Sequence, residues 1–449
     1  MLLHVPVSLD ELLSLLASAF SQPTFQTFRV LMIGQISQTG LRTVTGMLVG
    51  ARCSGVWHHA RAHRFFSNAV WSADELGLRL AALVLEGSCE PGAGVVVAVD
   101  DTLLQRLGRK IHATSWHHDA TANQRRAGSA WGNNWVVVGI VVKLPFMERQ
   151  VCLPVLFRLW QPRRKHLKAG KLDPQRPGKA EFAREMIDLL AARLEGRQLH
   201  VVGDAAYASR AWSGLPASVT TTFRVRSNTA LYDPTVPPSK GRGRPRKWGE
   251  RLPSLTQIAT SATTTWTTAT VERYGKTETL QLHEINCRWR SMGPQTPVRV
   301  ILVQDTAQAS GYQIALLTTD LHATPAQIVA RYALRWPIEV CFEEAKTLAG
   351  VGHARNRTQK AVERTVPFQF LAITITILWY TKHGHHPDVL AEHRARAPWY
   401  LTKTSPSFAD IQAKTRRVII AAQYQPQRPQ TPTTQEINDV QHAWAAAGL

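Results

Sequence analysis

The spacing of apolar residues divides the chain into stretches of different period. Over residues 1–90 apolar positions recur at helical spacing, which predicts helices over 9–20, 25–36, 41–49, 57–66 and 72–85. Ser72-Ala73-Asp74-Glu75 opens the last as a capping-box pattern, and Gly40 and Gly50 punctuate the set. From Val95 the period shortens. Residues 95–99 are an apolar run ending in Asp100-Asp101, and 135–142, 151–159 and 199–202 are further strand candidates. An amphipathic helix is expected over 179–194. Strands, loop, helix and strand predict an α/β core. Residues 221–320 are Thr-rich, with short strands expected at 280–286, 298–303 and 313–317, so they read as a β-rich insert. After Thr324 the pattern is helical through about Tyr380, and residues 425–434 have the composition of a linker or tail.

Composition leaves that picture ordinary, and charge changes it. The chain is 44% hydrophobic, 8% aromatic and 19% charged, which fits a globular protein and excludes disordered, collagenous and disulfide-scaffold classes. The formal net charge is +21, which points to a polyanionic partner, nucleic acid first, with a merely basic enzyme as the alternative. Residues 1–90 hold six Arg, no Lys and six acids, so the whole excess belongs to 91–449. Five scattered Cys without a C-x-x-C suggest reduced thiols in a cytosol. The N-terminus lacks a basic n-region, and the apolar stretches 135–142 and 370–380 fall short of the ~20 residues that span a bilayer. A soluble, cytoplasmic protein without a membrane partner is expected.

Asp100 and Asp204 each close an apolar strand candidate. Carboxylates on neighbouring strand ends suit hard divalent cations, although a lone Asp there is more often a turn residue or N-cap. A third acid lies on the late helix. At about 100° per residue Tyr332, Arg335, Glu339 and Lys346 share an arc of about 60°, with Leu334, Ile338, Cys341, Ala345 and Leu348 on the opposite face. That stripe is either a solvated, ion-paired face or a phosphate-contacting one. Pro337 is expected to kink the helix or restart it near Trp336.

The spacing Tyr332-x2-Arg335-x3-Glu339-x6-Lys346 resembles the Tyr-Arg-Glu-Lys signature of bacterial insertion-sequence transposases of the DDE type. Asp100-Asp101-Thr102 resembles that family's Asp-x-Thr, and Asp204-Ala205-Ala206-Tyr207 its Asp-x-x-Tyr. The resemblance runs from about residue 95 to 380. It implies an RNase H-like catalytic core at 91–220 and 321–380, interrupted by the β-rich insertion 221–320. The N-terminal all-helical domain, 1–90, would bind DNA ends or form a dimer contact, and 381–449 would be a C-terminal helical region and tail. It also implies that Asp100, Asp204 and Glu339 are catalytic and hold two Mg²⁺ (Mn²⁺ as substitute), with Tyr332, Arg335 and Lys346 on DNA phosphates. Asp100 and Asp101 would point to opposite faces of a strand. The Asp-x-Thr register selects Asp100. The implied activity is cleavage of element ends and their joining to target DNA. A nuclease without strand transfer and a non-catalytic DNA-binding relative are the alternatives.

Other segments suit DNA as partner. Gly241-Arg242-Gly243-Arg244-Pro245-Arg246-Lys247 resembles an Arg hook for A·T minor grooves, or is a basic hairpin tip. Trp266 is a candidate for stacking on an extruded base, or a core residue. Arg61 and Arg64, on a cationic amphipathic helix, are candidates for reading element ends. The basic loop 158–179 adds cations enough to track a second duplex. A monomer in free solution and a homodimer on paired ends are expected. His112, His117, His118 and Asp119 lack the spacing of a zinc hydrolase.

Overall fold

The apolar run at Val95 does not stop at the two aspartates. In this computed structural model β1 runs Val95–Gln105, longer than the apolar residues alone predict. It persists because β3 (Ser129–Val142) supplies an antiparallel ladder as far as Gln105↔Gly132. The structure describes residues 5–90, 92–118, 128–162, 176–238, 246–305, 311–400 and 402–423. Asp119, residues 163–175 of the basic loop, Arg242 and Arg244 of the hook, and the tail at 425–434 lie outside the described residues.

The other strands are β2 (Ser115–His118), β4 (Val151–Trp160), β5 (Leu199–Gly203), β6 (Val219–Arg224), β7 (Leu231–Tyr232), β8 (Thr267–Arg273), β9 (Lys276–Trp289), β10 (Pro297–Asp305) and β11 (Ile314–Thr318). β4 pairs β3, β3 pairs β1, and β5 and β6 follow parallel to β1. The β-rich stretch is continuous with this sheet, since β11 pairs β6 and leads through β10 to β9. The strands of residues 95–203 and those of the 221–320 stretch form one sheet.

Helices α1 (Val7–Ser14), α2 (Gln22–Ser37), α3 (Val44–Gly50), α4 (His59–Ser67) and α5 (Ala73–Ser88) fill the N-terminal region. The helix expected at 9–20 ends at Ser14 and gives way to a 3₁₀ turn, Ala17–Ala19. Ser72 caps α5 by accepting the Glu75 N–H at 3.3 Å. Gly77 lets α5 lie directly on β4, because a Cβ there would sit 1.9 Å from the Val155 carbonyl oxygen. These helices share one apolar core with β1, β3, β4 and the late helices.

α6 (Lys179–Arg193) and α5 cover one face of the sheet: Arg158 of β4 pairs with Asp74 and Glu185 at 2.7 and 2.8 Å. α9 (Trp336–Thr347) and α10 (Gln359–Trp379) cover the other, where Phe157 stacks on Phe370. α8 (Pro325–Ala333), opened by a Thr324–Gln327 capping box, packs on the insert strands. α9 begins at Trp336, where Pro337 restarts the helix. α11 (Asp388–Arg396) and α12 (Phe408–Gln423) close the described chain.

The apolar stretch near 370 is longer than the residues suggest. Gln359–Gly384 forms a 26-residue helical rod, long and apolar enough by composition to cross a membrane, yet 89% of its apolar window is buried inside the protein. Thr374 donates to the Pro154 carbonyl at 2.8 Å, and Gln369 donates to the carbonyls of Arg42 and Gly350. These buried polar side chains break the apolar run in the sequence and bind the helix to its neighbours.

Candidate active site

The parallel register Val99↔Gly203↔Phe223 sets the next residues of three adjacent strands side by side. They are Asp100, Asp204 and Arg224. α9 crosses the same face of β1 and brings Glu339. Asp100, Asp204 and Glu339 line one cleft of about 1000 Å³ together with Tyr332, Arg335, Arg224 and Arg226.

Arg335 binds two of the acids at once. Its Nη1 donates to Asp100 Oδ2 at 2.8 Å, and its Nη2 lies 2.5 Å from Glu339 Oε1. Burial alone would lower the Arg335 pKa, but Asp100 and Glu339 raise it above its ordinary value. Asp204 Oδ1 accepts the Ala206 N–H at 2.8 Å, which fixes the turn after β5. Burial pushes the Asp100 carboxyl up to about 7 against the pull of Arg335, with Asp204 and Asp101 adding to the rise. Tyr332, buried beside Arg335, has its phenol raised chiefly by burial.

The donor chemistry fits a hard divalent cation: three carboxylates, one of them with its pKa pushed up to about 7 by burial, with Asp204 and Asp101 adding to the rise. Among the described residues no three His, Cys, Asp or Glu stand close enough together to form a ready ligand cluster. Arg335 lies between Asp100 and Glu339 instead.

Asp101 points the other way. Its Oδ2 accepts from Lys179 Nζ at 2.6 Å and Asn134 Nδ2 at 3.0 Å, and its Oδ1 from the Tyr207 hydroxyl at 3.3 Å. Tyr207 is fully buried, which drives its pKa well above the usual value, with Asp101 adding to the rise.

The remaining expected residues divide. Lys346 lines an adjoining groove with Glu339, Glu343, Thr102 and His118 rather than the cleft itself. Arg61 and Arg64 line a separate groove between α2 and α4, and Arg61 lies 3.7 Å over the Trp57 ring. Trp266 is half-buried beside His283, ring centroids 5.9 Å apart, and lines neither the cleft nor that groove. Arg242 and Arg244 lie outside the described residues. Two cations expected in the basic loop have structural partners instead: Arg158 is held by Asp74 and Glu185, and Lys179 by Asp101. His112 lies against Glu363 and His117 against Ser115. Arg224 and Arg226 escaped the sequence reading. The signal was there, since they alternate with the inward-facing Phe223 and Val225 at the end of a third parallel strand.

A cleft of acids at the carboxyl ends of parallel strands is where open α/β sheets bind their ligands. A family model described as DDE superfamily endonuclease matches residues 15–293, more than half of the chain, and the chain belongs to that family. The activity class is therefore divalent-metal-dependent cleavage, with DNA as the substrate class. The match includes Asp100 and Asp204 and ends before Glu339. No curated protein matches the chain.

Proposed function

We propose that the protein is a transposase of the DDE type, which cuts the ends of an insertion sequence and joins them to target DNA. The observation that carries this reading is the convergence of Asp100, Asp204 and Glu339, from two strands and a helix, on one cleft. The strand order β4-β3-β1-β5-β6, with β5 and β6 parallel to β1, supports an RNase H-like core. The β-rich stretch between the second acid and the Glu339 helix agrees with the family's insertion. In this reading residues 1–90 serve end binding or dimerisation.

Asp100, Asp204 and Glu339 would hold two Mg²⁺, with Mn²⁺ able to substitute. When bound, these cations supply Lewis acidity to the attacking and leaving oxygens of an in-line displacement at phosphorus. Arg335 bridges Asp100 and Glu339 and presents its guanidinium in the cleft for a DNA phosphate. Tyr332 supports Arg335 from α8. Arg224 and Arg226 add positive charge on the opposite wall, where a phosphate backbone entering the cleft needs it. Lys346 extends the cationic track along the adjoining groove. Pairing of two ends by a homodimer would couple cleavage to synapsis.

The test is incubation of purified protein with Mg²⁺ and DNA carrying the element's ends. Excised and joined product is expected. Cleavage that never yields joined product would replace this reading with a nuclease lacking strand transfer. Intact DNA would favour the non-catalytic relative.

A further inference from the structure

Two tryptophans sit on the edge of the sheet, Trp116 exposed and Trp131 half-buried, and neither belongs to the core or the cleft. Trp116 of β2 and Trp131 of β3 are register partners, with ring centroids 5.7 Å apart and planes at 66°. Trp116 is 61% exposed, and Leu107 beside them is fully exposed. So much aromatic surface left in water marks a place of contact more often than an accident of packing.

The pair faces the active site. Along β3, Trp131, Asn133 and Trp135 share one side, and their register places them with Leu104, Thr102 and Asp100 of β1. His118, two residues from Trp116, lines the groove that also contains Glu339 and Lys346. From Asp100 to Gln105 the strand covers about 17 Å. That groove, lined also by Thr102, Leu104 and Gln105, runs from Glu339 towards the strand ends that bear the tryptophans.

Cationic residues lie in the two segments nearest the rings. Trp131 Nε1 faces the Gly108 carbonyl at 3.5 Å, which sets the turn bearing Arg109 and Lys110 against the pair. His112 N–H donates to the Arg357 carbonyl at 2.9 Å, which brings Arg355 and Arg357 alongside. All four cationic residues are exposed, and none has a carboxylate partner among the described residues. Glu363, the acid in this patch, is turned to His112 at 3.7 Å.

We infer that this edge is a stacking platform for a single-stranded segment of the DNA on which the enzyme acts, taking bases on Trp116 and Trp131 and phosphates on Arg109, Lys110, Arg355 and Arg357. The inference rests on the DNA-cleaving reading above and adds a partner conformation to it. Exposed rings stack only on bases whose faces are free, and a duplex hides those faces along its length. A duplex would use the cations and leave Trp116 without a role. An apolar protein partner would use the rings and leave four cations unpaired.

The test is fluorescence anisotropy with a labelled oligothymidylate and with a duplex of the same length, both in EDTA so that no cleavage occurs. Trp116→Ala should weaken oligothymidylate binding about tenfold and duplex binding less than about twofold. Trp116→Phe should recover most of the loss. Arg109→Ala with Lys110→Ala should shallow the salt dependence of oligothymidylate binding by about 0.7 for each phosphate no longer neutralised. Equal oligothymidylate affinity for native protein and Trp116→Ala overturns the platform, as does an equal loss on both ligands. Because the assay needs neither acids nor metal, native protein that cleaves nothing yet loses oligothymidylate binding on Trp116→Ala would refute the cleavage reading alone. Normal cleavage with unchanged binding would refute the platform alone.

Discussion

Asp100 and Asp101 are consecutive residues of one strand with the same functional group, and they occupy opposite worlds. On one side of β1, Asp100 faces an open cleft, shares Arg335 with Glu339, and is held near neutrality at half charge by burial. On the other, Asp101 is tied by Lys179, Asn134 and Tyr207 under α6. Asp100 takes one protein donor on each oxygen, the Asp101 N–H and Arg335, and lines the cleft, whereas Asp101 takes three side-chain donors and lies away from it. Alternation of side chains along a strand is enough to separate a cleft-facing group from a structural one. Tyr207 joins the two settings, because it lies three residues after Asp204 and reaches the back of the strand that bears Asp100.

Substitutions at the two aspartates should give the largest contrast. Asp100→Ala is expected to abolish DNA cleavage while the thermal midpoint stays near native. Asp101→Ala should instead cost about 2–4 kcal/mol of stability, because Lys179 and Tyr207 lose a buried acceptor. Parallel cleavage assays and thermal melts would measure both, and normal cleavage by Asp100→Ala beside a fully folded but inactive Asp101→Ala would reverse the assignment.

A second contrast is in pH. Asp100 has a folded pKa of about 7 against an ordinary value of 3.8, so between those values the folded state keeps a proton that the unfolded state has released. Without metal, its contribution to stability therefore falls as pH rises from about 4 to 7, and Asp100→Asn should remove that slope. A cation must displace the same proton. Calorimetric titration with Mg²⁺ should show apparent affinity rising up to about tenfold per unit below pH 7 and levelling above it. Affinity that does not change across this range would mean that Asp100 is not a ligand.

Arg224→Ala should weaken DNA binding severalfold and shallow its salt dependence by about one unit of log–log slope. An unchanged slope would show that the cationic wall opposite α9 does not meet phosphate. The smallest effect is expected at Tyr207→Phe, which removes one long hydrogen bond and should cost about 0.5–1.5 kcal/mol in a denaturant melt. A larger loss would mean that the tie between the two settings matters more than its 3.3 Å length suggests.

Much of the site was legible because it is written in local patterns. An apolar run ending in Asp marks both strand acids, and Pro337 marks the restart of the helix that carries Glu339. The membership of Arg224 and Arg226 was not, because it depends on which strands become neighbours, and that is decided by the parallel pairings of β5 with β1, far earlier in the chain, and of β6 with β5. The length of β1 was hidden for a related reason: Asp is a poor strand former, and only the ladder to β3 keeps the backbone extended through it. The partners of Arg158 and Lys179 were likewise invisible. Both look like free cations in a basic stretch, and only the approach of α5 and α6 to the sheet gives them carboxylates.

The buried rod of α10 carries a consequence for modularity. It touches the N-terminal helices on one flank and the sheet on the other, and Gln369 joins the Arg42 carbonyl to the turn that follows α9. Arg364 reaches the carbonyls of Ala69 and Trp71, and Arg416 of α12 reaches that of Ile36. A recognition region hung on a linker can be exchanged between proteins like a bead on a string. Here the grafting seam would run through a continuous apolar interior, and a donor region would have to bring complementary faces for α10 and α12. The chain should accordingly melt in a single cooperative transition, and its lineage should inherit the first 90 residues and the sheet together.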